Sequence, residues 1–324
     1  MHLFSYSRYL LPTAILTWLI LSLSSSYAKP NISGDLAVFH AGSLSVPFRE
    51  IAAAFERIHP DITVLLESAG SRASARKISD LNRNADVMGS ADYTVIDSLL
   101  IPEHASWNIR FAANEMVLAY TSHSRGAEEI TDQNWYQILL KNNIAYGRSD
   151  PNSDPCGYRT VLTAKLAETY YEQDNLAGKL LAKDQRHIRP KETDLLALLE
   201  AGEIDYVFNY RSVAQQHHLQ WITLPDEINL KNPEFSDQYA TATVNISGKT
   251  PGSFITKTGS PMVYGVTIPK NAPNPAAAVA FVAFLLDKEG LTIIERNGQP
   301  TVVPTYSSTY SEIPYPLKRF ARDL

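Results

Sequence analysis

The 324 residues carry 29 Lys and Arg against 34 Asp and Glu, a formal net charge of −5, with 44% hydrophobic residues and a single cysteine. The length accommodates two domains at ~100–200 residues each, and the mildly acidic balance argues against nucleic acid, which selects basic patches. One cysteine, Cys156, excludes an intrachain disulfide, and any bound anion must be held by local donors because the field of the whole chain will not attract it.

The N-terminus has Arg8 and no acid, then an apolar run from Leu10 to Leu23, then Ser26-Tyr27-Ala28 before Lys29. That is the layout of a secretory signal peptide over residues 1–28, and the run is shorter than the ~20 apolar residues of a membrane span. Cleavage after Ala28 removes Arg8, leaving 28 basic and 34 acidic residues, a net charge of −6. No cysteine near Ala28 offers a lipid-attachment point. A freely soluble periplasmic protein is expected.

From there short apolar strands alternate with amphipathic helices, the pattern of a parallel α/β sheet. Strands are predicted at residues 36–39, 62–66 and 86–88. Helices follow at 45–58, 71–81 and 94–100, the first burying Phe48, Ile51, Ala52, Phe55 and Ile58 on one face. Residues 116–120 read as a further strand. A second strand–helix series follows: helix 134–140, strand 144–146, helix 157–171, helix 192–200, strand 206–208 and helix 212–217. Residues 225–260 turn polar and irregular, with Pro225, Pro233 and Pro251. A strand at 262–268 and an apolar helix at 276–286 close the pattern. The expected division is lobe 1 at 29–117 and 262–324, with lobe 2 inserted at 118–261. Two crossing segments would then act as a hinge.

Several strand-to-helix junctions carry candidate chemistry. In His40-Ala41-Gly42-Ser43 and again in Ser68-Ala69-Gly70-Ser71, a strand leads through a glycine into a serine that opens a helix. Helix N-termini present free N–H groups suited to an oxyanion, and two such turns on consecutive βα units lie side by side at the carboxyl edge of the sheet. The competing reading for Ser43 and Ser71 is ordinary N-capping. In Asp154-Pro155-Cys156-Gly157-Tyr158-Arg159 the local pattern is also that of a capped helix start. Cys156 reads as a packed residue, and Arg159 as one partner of a structural ion pair. Glu192 falls in a first helical turn, and Tyr210 ends a strand where its phenol could donate.

These stretches, with Asn134-Trp135-Tyr136, Tyr210-Arg211-Ser212-Val213-Ala214, Leu224-Pro225-Asp226-Glu227-Ile228 and Val263-Tyr264-Gly265-Val266, run in order through nearly the whole chain after the leader. Together they resemble the periplasmic molybdate/tungstate-binding proteins of ABC importers, in the tungstate-binding WtpA branch. The resemblance implies a two-lobed α/β fold, the type II periplasmic binding protein, each lobe a mainly parallel sheet flanked by helices. It implies capture of tungstate or molybdate between the lobes, with no cofactor and no catalysis, by a monomer that delivers the anion to ABC permease subunits. It places carboxylates from Asp154 and Glu192 on the metal of the anion and donors from Ser43, Ser71 and Tyr210 on its oxygens. Gly42, Gly70, Cys156 and Gly157 become possible additional contacts, and Glu227 is the alternative to Glu192.

Two rival readings stand beside this one. A phosphate- or sulfate-binding protein of the same fold would have Asp154 and Glu192 as caps pointing away from the cleft. Ser74-Ala-Arg-Lys77 and Lys257-Thr258-Gly259 match two of the three marks of serine acyl-enzymes of the β-lactamase type, with Ser74 and Lys77 as reactive groups, but Ser-Asp-Asn is missing between them.

Overall fold

The computed structural model describes His2 and residues 32–324, so the expected signal peptide lies outside the described residues. The chain forms two five-stranded sheets flanked by helices. It opens with β1 (Gly34–Ala41), α1 (Ser45–Ile58), β2 (Ile62–Ala69), α2 (Ser71–Ser79), β3 (Val87–Ser90), α3 (Tyr93–Leu99) and β4 (Ile109–Ala113). The second series is β5 (Met116–Tyr120), α4 (Trp135–Leu140), β6 (Tyr146–Ser149), α5 (Pro155–Tyr170), α6 (Leu176–Ala182), β7 (Ile188–Arg189), α7 (Leu196–Glu200), β8 (Tyr206–Tyr210), α8 (Arg211–Gln216) and β9 (Gln220–Thr223). Then come α9 (Ser236–Tyr239), β10 (Thr243–Ser247), β11 (Phe254–Thr258), β12 (Val263–Thr267), α10 (Pro275–Leu286), α11 (Lys288–Arg296) and two short strands, β13 (Thr305–Tyr306) and β14 (Ala321–Arg322).

The sheets repeat one plan. The first has strand order β2-β1-β3-β12-β4 and the second β7-β6-β8-β5-β9. In each, a single strand runs against its neighbours: β12 in the first and β5 in the second. Each reversed strand is the one on which the chain arrives from the other sheet. β5 belongs whole to the second sheet, so the chain leaves the first sheet at Asn114–Glu115, just ahead of the expected boundary at 117.

Helices on both faces of the first sheet explain the near-continuous apolar run of β1. Leu36 and Val38 pack with Phe48, Ile51 and Phe55 of α1, while Phe39 joins Ala75, Ile78 and Ile96 on the other face. Ile58, expected on the buried stripe of α1, is the last residue of the helix and is half-exposed. Phe281 of α10 sets its ring edge against Phe48 and Phe55, with centroids 6.3 and 5.3 Å away. In the second sheet Trp135 and Tyr146 meet Phe208 edge to face.

Two readings need correction. Residues 243–258, expected to be irregular, form the antiparallel hairpin β10–β11, with Asn245 opposite Thr256. Its polar composition hid the strands because the hairpin stands outside both sheets and is half-exposed. The strand expected at 144–146 begins at Tyr146 and continues to Ser149. The backbone at Gly147 is covered by Leu195 and Ile204, so a polar stretch is buried there.

Replacing Phe281 by Ala should destabilise the protein by ~3–5 kcal/mol. The midpoint of urea unfolding measures this, and an unchanged midpoint would show that α10 does not hold the first lobe together.

Candidate functional site

The site is assembled from loops at the carboxyl ends of parallel strands in both sheets. At the end of β1 the chain makes a 3-10 turn over Gly42–Leu44 before α1. Neither α1 nor this turn has a side-chain cap, and α2 starts after Gly70 without one either. The capping reading of Ser43 and Ser71 therefore fails. Both are fully buried, and their hydroxyls accept instead: Ser43 Oγ from the Tyr264 hydroxyl at 2.9 Å, and Ser71 Oγ from the Ala91 N–H at 2.9 Å.

Asp154 and Glu192 face these turns from the second lobe. Asp154 caps α5, its Oδ1 accepting from the Cys156 N–H at 3.2 Å, and Pro155 occupies the first helical position. Its Oδ2 accepts from the Glu192 N–H at 3.0 Å, tying the two acids together. Glu192 opens a 3-10 turn over Glu192–Leu195 that follows β7. Both side chains are about 1% exposed.

The apposition is close enough to require glycine. A Cβ on Gly42 would stand 2.6 and 2.8 Å from the two carboxylate oxygens of Glu192. A Cβ on Gly70 would overlap the Ser153 carbonyl and stand 3.0 Å from Asp154 Cβ. The Glu192 carboxylate therefore lies against the first-lobe turn at Gly42, whereas Asp154 meets Gly70 through its Cβ and keeps both carboxylate oxygens on N–H groups of its own lobe, as a helix cap does. Glu227 lies elsewhere, half-buried after β9, where its carbonyl accepts from Gln238 Nε2.

Tyr210 ends β8 in full burial, and its hydroxyl accepts from Arg159 Nη1 at 2.9 Å. Arg159 was expected in an ion pair. It instead donates to Tyr210 and to the Ala91 carbonyl of the first lobe, because the nearby Asp92 carboxylate is taken by Lys257 at 2.9 Å and by the Tyr158 hydroxyl. Cys156 is packed, its thiol donating to the Phe208 carbonyl at 3.6 Å. Gly157 lets α5 press on the Ser149–Pro151 backbone.

Electrostatically the acids are costly neighbours. Burial raises Asp154 above the usual carboxylate range, and burial together with the Asp154 charge raises Glu192 well above it. With both acids ionised neither oxygen of the Glu192 carboxylate has a donor among the described residues, while a protonated Glu192 side chain shares a hydrogen bond with Asp154. A buried carboxylate left this way is expensive unless it is protonated or meets an electrophilic centre. Burial also keeps Tyr210 neutral, a phenol with one proton to give.

Sequence reasoning missed the seam's remaining fastenings. The β10–β11 hairpin crosses to the first lobe, where Arg72 and Arg76 donate to the Ser247 and Gly248 carbonyls and Lys249 meets Glu103 at 2.5 Å. Lys257 spends its charge on Asp92 there, and Lys77 pairs with Glu67 at 2.8 Å. With Lys77 held by Glu67 and Lys257 by Asp92, neither lysine is placed to activate Ser74 of α2. Tyr264 and Lys257 lie in stretches the sequence singled out, but nothing in the spacing placed them, or Asn114 and Asp92, beside Ser43 and Arg159, and only the alternation of the 262–268 strand hinted that Tyr264 turns inward. No group of three or more His, Cys, Asp or Glu suited to a cation occurs among the described residues, nor any helix long and apolar enough to cross a membrane.

Two helix-flanked sheets, linked by chain crossings and with buried polar groups at the loops between them, have the two-lobed fold of type II periplasmic binding proteins. The chain belongs to the bacterial extracellular solute-binding protein family, whose pattern matches residues 36–299. It is 52% identical over 293 residues to an uncharacterized solute-binding protein of Petrotoga mobilis, covering 90% of this chain and 91% of that one. It is 39% identical over 313 residues to the molybdate/tungstate-binding protein WtpA of Pyrococcus abyssi, covering 88% and 89%. Among solved structures, the sulfate-binding protein SubI of Mycobacterium tuberculosis matches with a TM-score of 0.59 at 14% identity, covering 83% and 87%. That likeness establishes the fold alone. The family's members bind and hand over solutes and are not enzymes, and they use no cofactor.

Because the raised acids bind more protons in the closed arrangement than when solvated, ligand-free closure should be favoured at acid pH. It should be lost as pH rises through the raised values. Small-angle scattering of the ligand-free protein should show expansion with rising pH, and Glu192→Gln should blunt it. A radius independent of pH would show that the acids do not oppose closure.

Proposed function

We propose that this protein is the solute-binding component of an ABC importer and captures tungstate or molybdate between its lobes. The observation that carries the reading is the pair of buried carboxylates where the lobes meet, Glu192 with its oxygens against the Gly42-Ser43 turn and Asp154 tied to it through the Glu192 N–H beside Gly70. A carboxylate facing a dianion is repulsive. A hexavalent metal centre removes the repulsion by accepting carboxylate oxygens as ligands, whereas the sulfur of sulfate and the phosphorus of phosphate cannot expand their coordination in this way. Selectivity is then a difference of affinities set by coordination chemistry.

The oxygens of the anion fall to Ser43, Ser71 and Tyr210. Each of these hydroxyls already accepts a hydrogen bond from the protein, so its own proton is the group left to donate. Three oriented donors suit an anion that carries no proton. The 39% identity to a relative named for molybdate and tungstate agrees with this reading. The apolar leader over residues 1–28 supports export to the periplasm, and membrane permease subunits are the partners to which a closed binding protein presents its cargo.

Titration calorimetry with tungstate, molybdate, sulfate and phosphate tests the proposal. The first two should bind, and more tightly than the others. Binding of sulfate or phosphate as tight as tungstate would sink it. Asp154→Asn and Glu192→Gln should each weaken tungstate binding by on the order of a hundredfold, from loss of a metal ligand and its charge, while Glu227→Gln should leave it unchanged. Loss at Glu227 instead of Glu192 would reassign the second acid.

A further inference from the structure

We infer that Tyr264 and Asn114 are positioning residues that fix the direction of the Ser43 hydroxyl, and that the strength of oxyanion capture depends on this relay. The inference rests on the reading of Ser43 as a ligand donor given above. Tyr264 lies on β12 and Asn114 on the segment where the chain leaves the first sheet for the second. Tyr264 is fully buried and Asn114 nearly so.

The direction of each hydrogen bond follows from one amide. Asn114 Oδ1 accepts from the Glu115 N–H at 3.0 Å and the Ser212 N–H at 3.4 Å. Two backbone donors on that oxygen leave no freedom to flip the amide. Its Nδ2 therefore faces the Tyr264 hydroxyl at 2.9 Å and Ser212 Oγ at 2.7 Å. An amide N–H can only donate, so Tyr264 must accept there and place its one proton elsewhere. The place is Ser43 Oγ, 2.9 Å away. Burial pushes the Tyr264 phenol up to about 12, so the proton is present at any working pH. Ser43, having accepted it, directs its own proton away from Tyr264. Gln299 Nε2 holds the Ser43 carbonyl at 3.1 Å and steadies the turn itself.

The same logic serves the other hydroxyls with different parts. Ser71 is oriented by a backbone N–H and Tyr210 by the Arg159 guanidinium. Only at Ser43 does the orienting donor come from a side chain that can lose its hydroxyl without losing its shape. Asn114 also grips Ser212 at the start of α8, so the amide that sets the direction of the Ser43 donor also binds the second lobe.

The test is a double-mutant cycle on the full-length mature protein, with tungstate as the probe in calorimetry. Tyr264→Phe should weaken binding by about tenfold, the worth of one oriented hydrogen bond to a charged ligand. In a Ser43→Ala background the same change should cost little, because the group it acts through is gone. Asn114→Asp supplies a second probe. A carboxylate there accepts the Tyr264 hydrogen bond and turns the relay round, so beyond the repulsion its charge adds in both backgrounds it should weaken binding more when Ser43 is present than in the Ser43→Ala protein. Wild-type affinity in Tyr264→Phe, or losses that simply add in the double variants, would overturn the inference. Failure of the unaltered protein to bind tungstate would instead overturn the functional reading beneath it.

Discussion

Two carboxylates forced together in a dry seam set the terms for everything around them. Taking even one carboxylate out of water costs several kcal/mol unless a partner compensates it. Here Asp154 is compensated in part, by the N–H groups of Cys156 and Glu192, while the Glu192 carboxylate has no such donor among the described residues. Among the described residues no arginine or lysine forms an ion pair with either acid. Evolution normally places a cation beside such a pair. On the proposed reading, the electrophilic centre of the bound anion takes the place of that cation.

The fold supplies this arrangement economically. Parallel strands end with the N-termini of the following helices, and both sheets direct such ends toward the seam. The first lobe contributes turns with glycines small enough for close approach and serines freed from capping. The second contributes acids on a helix cap and a 3-10 turn. The reversed strands β5 and β12 follow the two crossings, so the hinge and the donor network share residues. Asn114 sits at one crossing, and Tyr264 reaches from the strand that completes the other. Closure is fastened at a distance by the β10–β11 hairpin, whose Lys257 meets Asp92 beside Tyr158 and Arg159.

Much of this was legible in the sequence, and the boundary of legibility is physical. Apolar periodicity located β1, α1, β2 and β5 to within a few residues because each is buried on the faces that the pattern marks. The two Gly-Ser turns and the Asp-Pro-Cys-Gly-Tyr-Arg start of α5 stood out because they depend on local backbone chemistry. The β10–β11 hairpin did not: Val244, Ile246 and Ile255 do alternate inward, but the runs are five residues long and lie in a stretch whose prolines, glycines and polar residues read as loop. Arg159 was misread for a different reason. The sequence shows a cation near acids but not that Lys257, 98 positions later, has taken the carboxylate. Tyr264 and Asn114 meet Ser43 only through the tertiary fold, and no spacing rule joins residues so far apart.

The capturing role and the family follow from the fold and from relatives covering most of the chain, whereas the identity of the anion rests on the carboxylate pair. X-ray absorption at the tungsten edge, recorded on the tungstate-loaded protein, tests that pair most directly. A metal coordination number above that of the free tetrahedral ion, falling back to tetrahedral when Asp154 and Glu192 are both replaced by their amides, is the expected result. A tetrahedral metal in the unaltered protein would contradict it, because the two acids would then be facing the anion without binding its centre.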